Sequence, residues 1–453
     1  MKKQLLLLVF ATLLLSRVYA QLTPFMEGRL QFTLDSVCNR FKYKGVTAAV
    51  LIPDQGIWKG TYGYSHESVR ITPDMAFGMG SNTKTFICAL LLKMQENNLL
   101  SLDDTIGTWI TGYPNINGSA TIRQCLNHTS GIAEYFSAKV NDSLFTNPNK
   151  IWIKPEILTL ADTPEFAPGE GWTYSNSNYI IAGMIIESVL DKPVNQAMRE
   201  WILDSAGFNH TFFYGEPNDA PMPHQWTMNL TGTSLVDMNE FELNLLPQLY
   251  SLATTAGAMF TTAEENVLFW SKLASGQLLS SQSMAEMMEW VSVTSNLSYG
   301  LGIFLNKNYM NGRTIIGHGG TYLGSITENM VDTLSGITVS VLTNQDSLGN
   351  AHVANNIMRA LHRTALRAPA VGIADADHNG PLQLYPNPAN TQVWITADAV
   401  GSTVRLMDLQ GRLVIAQTGI NTLNVATVPN GVYIIQLDKD GYTYHQRLVV
   451  QHD

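Results

Sequence analysis

The spacing of hydrophobic residues changes along this chain, and each change marks an element. From Pro24 to Phe41 apolar residues recur at helical spacing, at Met26, Leu30, Phe32, Leu34 and Val37. Two β-rich runs follow, residues 46–52 and 57–62, on either side of Pro53-Asp54-Gln55-Gly56, which reads as a hairpin turn. Residues 77–94 read FGMGSNTKTFICALLLKM. After Lys84 this run is apolar nearly all round, which predicts a helix buried inside a domain and ending near Asn97-Asn98. Leu99 to Asp104 then starts a new element. Residues 105–290 are mostly helical patches joined by loops rich in Pro, Asn and Gly. Among them are 179–190 and 264–273, the latter capped by Thr261 or Thr262.

From Tyr299 the period returns to that of strands, at 299–305, 313–318, 325–331 and 337–344, before a last helix from Ala351 to Arg367. Strands at both ends with helices between them predict an α+β fold. One antiparallel sheet is flanked by helices and closed by distant segments, with a helical subdomain beside it. Residues 368–381 are small, polar and interrupted by Pro and Gly, and read as a linker. Beyond them come about seven short alternating runs in about seventy residues, the pattern of a small all-β sandwich. The division expected is 1–20, 21–367, 368–381 and 382–453.

Composition narrows the possible partners. The formal net charge is −10, which argues against nucleic acid or an anionic membrane as the main partner. Residues 1–20 have the parts of a secretory signal: Lys2 and Lys3, an apolar stretch from Leu5 to Leu15 too short to span a bilayer, and Val18-Tyr19-Ala20 as a cleavage site. Its removal takes away Lys2, Lys3 and Arg17 and no acid, moving the charge from −10 to −13. No other segment is apolar enough to span a membrane, so a soluble mature protein is expected. Cys38, Cys88 and Cys125 are too few for a disulfide scaffold; one bridge is open, with no pairing assigned. The histidines show no metal-ligand spacing, and neither metal nor cofactor is expected.

The candidate chemistry begins at Ser81-Asn82-Thr83-Lys84, the one Ser-x-x-Lys in the chain. If Ser81 opens the helix, Lys84 lies one turn on, on the same face. A hydroxyl and an amine at the mouth of a buried helix suit an activated nucleophile. Ordinary Lys and Tyr side chains titrate near 10, so burial has to shift one of them before it serves as a base. Three more stretches stand out: Tyr174-Ser175-Asn176 on a loop bounded by Pro168 and Gly169, Gly317-His318-Gly319-Gly320-Thr321 at a strand end, and Leu126-Asn127-His128-Thr129-Ser130-Gly131. Glycines after His318 let a ligand approach the strand backbone. His128 reads as structural. Tyr309-Met310-Asn311 repeats Tyr-x-Asn without the Pro-Gly context, in an expected turn, and reads as a decoy.

From about residue 25 to 365 the chain resembles the penicillin-recognising serine hydrolases: class C β-lactamases, D-Ala-D-Ala carboxypeptidases, D-aminopeptidases and related esterases. The resemblance is collinear through ITPDMAFGMGSNTKTF, NNLLSLDDTI, TIRQCLNHTSGI, FAPGEGWTYSNSNYIIAGMIIESV, TTAGAMFTTAEENVLFW and GHGGTYLGSITENMVDTLSGITVSVLTNQD. It implies that Ser81 is the acylated nucleophile, that Lys84 and Tyr174 are its acid–base partners, and that Asn176 binds the substrate's amide or ester portion. His318 joins the catalytic set, and Gly319, Gly320 and Thr321 line the substrate on a sheet edge. Ser81 and Thr321 are the expected backbone donors to the oxyanion. Relatives carry Lys-Thr-Gly or His-Thr-Gly where this chain has His318-Gly319-Gly320. The missing hydroxyl and fixed cation disfavour a substrate carboxylate and favour an ester, an amide or an N-terminal D-amino acid. β-Lactamase and carboxypeptidase activity are the alternatives, and a catalytically silent binding protein is the rival from another class. Residues 382–453, with LQLYPNPA, GVYIIQL and QRLVV, resemble the C-terminal sorting domain of the type IX secretion system of Bacteroidetes. That implies the secretion machinery as a partner, beside a small-molecule or peptide substrate, and an extracellular or cell-surface destination.

Overall fold

The computed structural model describes residues 22–452 except 137, 231, 311, 347–350, 369–383, 396–401, 409–411 and 440–441. The proposed signal segment and nearly all of the proposed linker lie outside the described residues. The chain divides into two compact units, Met1–Leu366 and Arg367–Asp453.

In the first unit α1 (Pro24–Phe41) starts with Thr23 accepting from the Met26 amide and ends at Lys42 in the left-handed region. It leads into the strands β1 (Gly45–Ile52), β2 (Gly56–His66) and β3 (Val69–Arg70). The helices α2 (Thr83–Glu96), α3 (Ser177–Leu190), α4 (Leu246–Gly257) and α5 (Ala263–Ala274) follow, among shorter pieces. Then come β4 (Val291–Ser292), β5 (Leu297–Tyr299), β6 (Phe304–Met310), β7 (Arg313–Gly317), β8 (Gly320–Tyr322), β9 (Ser325–Asp332), β10 (Thr338–Thr343) and a last helix α6 (Ala351–Ala365). These strands form one antiparallel sheet in the order β3-β2-β1-β10-β9-β7-β6-β5-β4, with β8 paired to β9. Distant segments therefore close it, Val46 opposite Thr343 and Leu51 opposite Thr338. Thr262 caps α5, as one of the two expected candidates.

Helix α2 is buried on every side from Thr83 to Leu92, so it can sit only inside the unit. It packs on α3 and α4 in one large core. Truncating one of its fully buried leucines, such as Leu91, removes contacts worth about 2–5 kcal/mol.

Four local expectations need correction. Ser81 does not open the α-helix; it lies in a 3₁₀ turn, Gly80–Asn82, ahead of it. Residues 99–104 form a turn held by Asp104, whose carboxylate accepts from the Ser101 amide, and start no regular element. The strand expected at 299–305 is broken between β5 and β6. There the Gly300 amide donates to Ile303, and Gly302, at φ +68°, lies so close to α2 that a Cβ would meet Cys88 Sγ at 2.6 Å. Thr85 Oγ1 donates to Gly302 O across this contact at 2.7 Å. Tyr309 is a buried residue of β6, not part of a turn, and Asn311 lies outside the described residues.

The second unit has a three-stranded sheet (Leu384–Tyr385, Gln392–Ile395, Thr422–Asn424). It also has a four-stranded one (Leu413–Thr418, Thr403–Met407, Gly431–Lys439, Tyr442–Val450). Val393, Leu423, Val404, Leu406, Ile435 and Leu448 share one core between them, as a small sandwich requires.

Asp332 ties α6 to the sheet. Its buried carboxylate accepts from Arg313 Nε at 2.5 Å and from His362 Nε2 at 2.8 Å. Asp332→Ala would leave a buried imidazole and a guanidinium without their acceptor, at an expected cost of about 3–5 kcal/mol in denaturant unfolding. A loss of under about 1 kcal/mol would show that the cluster is not a stabilising tie.

Candidate active site

Four segments meet at Ser81. The 3₁₀ turn presents its side chain, and α2 carries Lys84 one turn on. Lys84 is fully buried, and its Nζ lies 3.0 Å from Ser81 Oγ, 2.7 Å from Asn176 Oδ1 and 2.7 Å from the Ala256 carbonyl. That carbonyl lies in the last turn of α4, beyond a break at Thr254 (φ 32°, ψ −120°). Being near a helix end, it is available to a partner other than a helical amide.

The two carbonyl oxygens can only accept. An ammonium at this position donates to all three oxygens. A neutral amine keeps its two hydrogens on Asn176 and Ala256 and turns its lone pair to the Ser81 hydroxyl. Burial pulls Lys84 down to about 7, against the opposite pull of Glu134 and Cys88. The geometry and the titration therefore both fit a general base near neutral pH.

Asn176 is turned the right way by Glu134, a residue the sequence reading missed. Glu134 Oε2 accepts from the Asn176 backbone amide and from its Nδ2, both at 2.8 Å. This leaves Oδ1 to face Lys84. The available signal was a lone carboxylate in the otherwise apolar Ile132-Ala133-Glu134-Tyr135-Phe136. Asn176 thus holds the base as well as lining the cavity, a second duty beside the expected contact with substrate.

Tyr174 hydrogen-bonds Ser81, and Lys84 Nζ lies 5.1 Å from the centre of its ring. Burial holds the Tyr174 hydroxyl above the ordinary value, outweighing the Ser81 bond. The loop that carries it is pinned to the 128–131 segment, where Thr173 N donates to His128 O and Ser175 N to His128 Nδ1. His128 packs its ring 4.3 Å from that of Tyr174, and burial keeps it neutral. Its structural reading stands.

Strand β8 passes close over Ser81. A Cβ on Gly320 would lie 1.9 Å from Met79 O and 2.8 Å from Ser81 N, and one on Gly80 (φ +51°) would lie 2.9 Å from Thr321 N. No other residue type fits at either place. The close approach puts the backbones of Ser81 and Thr321 beside each other, as a pair of oxyanion donors requires.

His318 lies behind this strand. Its Nε2 is 3.0 Å from Tyr299 Oη, and its Nδ1 hydrogen-bonds Gly319 O. Since a carbonyl only accepts, Nδ1 carries the proton and Nε2 accepts from Tyr299. Burial, helped by the charge of Lys84, pulls the imidazole down to about 3. Both nitrogens are committed, so His318 enters the site as a neutral spacer beside Tyr174, not as a free acid or base. A Cβ on Gly319 would meet the Glu328 carboxyl at 3.1–3.3 Å, and burial raises that carboxyl to about 8.

The cavity in front of Ser81 has a volume of about 520 Å³. Tyr135, Leu144, Leu249, Leu252, Tyr322 and Leu323 are among its lining residues, and among the described residues no charged side chain lines it.

Residues 34–363 match the family model described as Beta-lactamase. The chain belongs to the beta-lactamase family. Among the relatives of this family member is the putative penicillin-binding protein PbpX of Bacillus subtilis (strain 168). It is 25% identical over 273 residues, 59% of this chain and 64% of its own. Protein flp of Staphylococcus aureus (strain MW2) is 30% identical over 222 residues, 46% of this chain and 43% of its own. The chain spans less than two thirds of the length of these curated relatives. Among solved structures, a D-stereospecific amidohydrolase from Streptomyces sp. superposes with a TM-score of 0.64 at 26% identity, covering 73% of this chain and 98% of that one. A D-amino acid amidase from Ochrobactrum anthropi SV3, complexed with L-phenylalanine amide, gives a TM-score of 0.65 at 23% identity over 75% and 98%, which shows a shared fold. Residues 383–451 match the Secretion system C-terminal sorting domain, which indicates secretion to the cell surface or beyond and an encounter with the secretion machinery. Among the described residues no helix is long and apolar enough to cross a membrane.

A pH series tests the base. If the neutral form of Lys84 is the working one, kcat/KM rises with pH through an apparent pKa of about 7. Glu134→Gln removes a negative charge that favours the ammonium, so that midpoint should move to lower pH, with kcat falling about tenfold. An unmoved midpoint would remove Glu134 from the account.

Proposed function

We propose that this protein is a secreted serine hydrolase that cleaves an ester or amide through a Ser81 acyl-enzyme. The observation that carries the reading is Lys84 Nζ, poised between Ser81 Oγ and two carbonyl oxygens. Neutral Lys84 takes the Ser81 proton as Oγ attacks the substrate carbonyl. The oxyanion that forms accepts from the backbone N–H groups of Ser81 and Thr321. Collapse breaks the bond to the leaving group, which takes its proton from the Tyr174 hydroxyl, resupplied by Lys84. Water then attacks the acyl-enzyme, giving its proton to the same pair, and Ser81 leaves with a proton. Asn176 and Glu134 keep the amine oriented, and His318 holds Gly319 and Tyr174 in place. Gly319, Gly320 and Thr321 form the edge along which the substrate lies.

The substrate presents no free carboxylate at the His318-Gly319-Gly320 edge, as in a small ester or a D-amino-acid amide or peptide. The absence of a charged side chain from the cavity lining among the described residues, the neutral His318 and the lack of a hydroxyl at position 319 support this. The same features speak against a D-Ala-D-Ala carboxypeptidase or a β-lactamase, whose substrates present a carboxylate. The complete Ser81, Lys84 and Tyr174 set speaks against a silent binding protein. We assign the hydrolase to residues 21–367, with 1–20 as a cleaved signal, 368–381 as a linker and 382–453 as the sorting domain of a type IX route.

A panel of short-chain esters, D-aminoacyl amides and nitrocefin is the test. Turnover is expected for esters or amides, with nitrocefin at least about tenfold slower in kcat/KM. Ser81→Ala should lose all labelling by a fluorophosphonate, and retained labelling there would refute the nucleophile. Nitrocefin as the best substrate would overturn the substrate reading. Deleting residues 382–453 should hold the enzyme in the periplasm, and normal release of the truncated protein would contradict the role of the tail.

A further inference from the structure

The far wall of the cavity rests on one buried carboxylate that the chemistry does not use. Asp346 follows β10 and is 1% exposed. Thr227 Oγ1 lies 2.7 and 2.9 Å from its two oxygens, and the Met228 amide lies 3.2 Å from Oδ1. Asn229 Nδ2, at 3.0 Å, and the Gly324 amide, at 2.8 Å, both donate to Oδ2. These partners are neutral donors from two separate segments, residues 227–229 and the turn between β8 and β9. Backbone bonds fasten the first segment to the end of β10, Trp226 N to Asn344 O and Asp346 N to Trp226 O. The turn presses on the same segment, since a Cβ on Gly324 (φ +80°) would lie 2.5 Å from Gln225 Cβ.

Each segment supplies part of the cavity wall. Asn229 and Leu230 come from one, and Thr321, Tyr322 and Leu323 run into the other. Thr321 also carries the expected oxyanion amide. A buried carboxylate with unpaired lone pairs is costly, so satisfying this one requires both segments at once, at a fixed separation.

We propose that Asp346 is a specificity-determining positioning residue that sets the width of the acyl cavity by clamping residues 227–229 to the β8–β9 turn. The inference rests on the reading of Ser81 as nucleophile and of the cavity as the acyl site. Asp346 touches no reacting atom. Its loss should therefore change which acyl groups fit more than it changes the reactivity of Ser81.

The test uses the full chain and two fluorophosphonates, one with a short and one with a long alkyl chain, whose second-order rates of Ser81 labelling are compared. In the natural protein the long-chain probe should react faster. Asp346→Ala should lower the long-to-short ratio by about tenfold while the short probe keeps its rate within about threefold. Asp346→Asn should rescue most of the ratio. Its oxygen can serve Asn229 and Gly324, and its NH₂ can donate to the Thr227 hydroxyl, so only the Met228 bond is lost. Thr227→Val, which removes one donor at nearly constant volume, should lower the ratio about two- to fivefold and keeps the test alive if the alanine variant does not fold. A ratio within about twofold of the natural protein in every folded variant would overturn the clamp, as would an equal fall for both probes. Failure of the natural protein to label with either probe would instead overturn the nucleophile assignment on which the clamp rests.

Discussion

Lys84 is a fully buried amine whose Nζ lies within 3.0 Å of three oxygens. Moving its titration from 10.5 to about 7 corresponds to roughly 5 kcal/mol against the charged form. The rest of the site follows from satisfying that group. The apolar helix α2 supplies the burial, the end of α4 offers one carbonyl, and Asn176 offers another. Glu134 then fixes which way Asn176 faces. Each partner comes from a different part of the chain, so it is the α+β packing of the first unit that brings them together.

A second constraint is the approach of β8 to Ser81. Gly80 and Gly320 leave no space for a side chain between the two backbones. The same strand carries Tyr322 and Leu323 into the cavity wall, and its turn is held from behind by Asp346. One strand and its turn thus both approach Ser81 and supply part of the cavity wall. Gly319 lies next to this strand. A Cβ there would press on the Glu328 carboxyl at 3.1–3.3 Å.

Most of the fold was legible because its signals are periodic. Helix α1, helix α2 and the strands that close the sheet follow apolar spacings that survive in tertiary context. The break between β5 and β6 was not, because Gly300 and Gly302 bend the chain to fit α2, a contact with no trace in local periodicity. That Ser81 meets Lys84 was legible in their spacing, and that Tyr174, Asn176 and His318 gather near them was an expectation carried by the resemblance. Their division of labour was not legible. Tyr174 stays protonated and His318 has both nitrogens engaged because of burial and of partners such as Tyr299, which only the folded chain brings near. Glu134 and Asp346 escaped notice for the same reason: a carboxylate that accepts from amides across the fold looks in sequence like any other acid.

The protonation state of Lys84 is the central claim, and NMR reads it directly. A ¹³C or ¹⁵N titration of the labelled Lys84 side chain, assigned with a Lys84→Arg variant, should show a midpoint near 7. A Lys84 that stays charged up to pH 10, like an ordinary lysine, would contradict the account, because its lone pair would never be available to Ser81 at neutral pH.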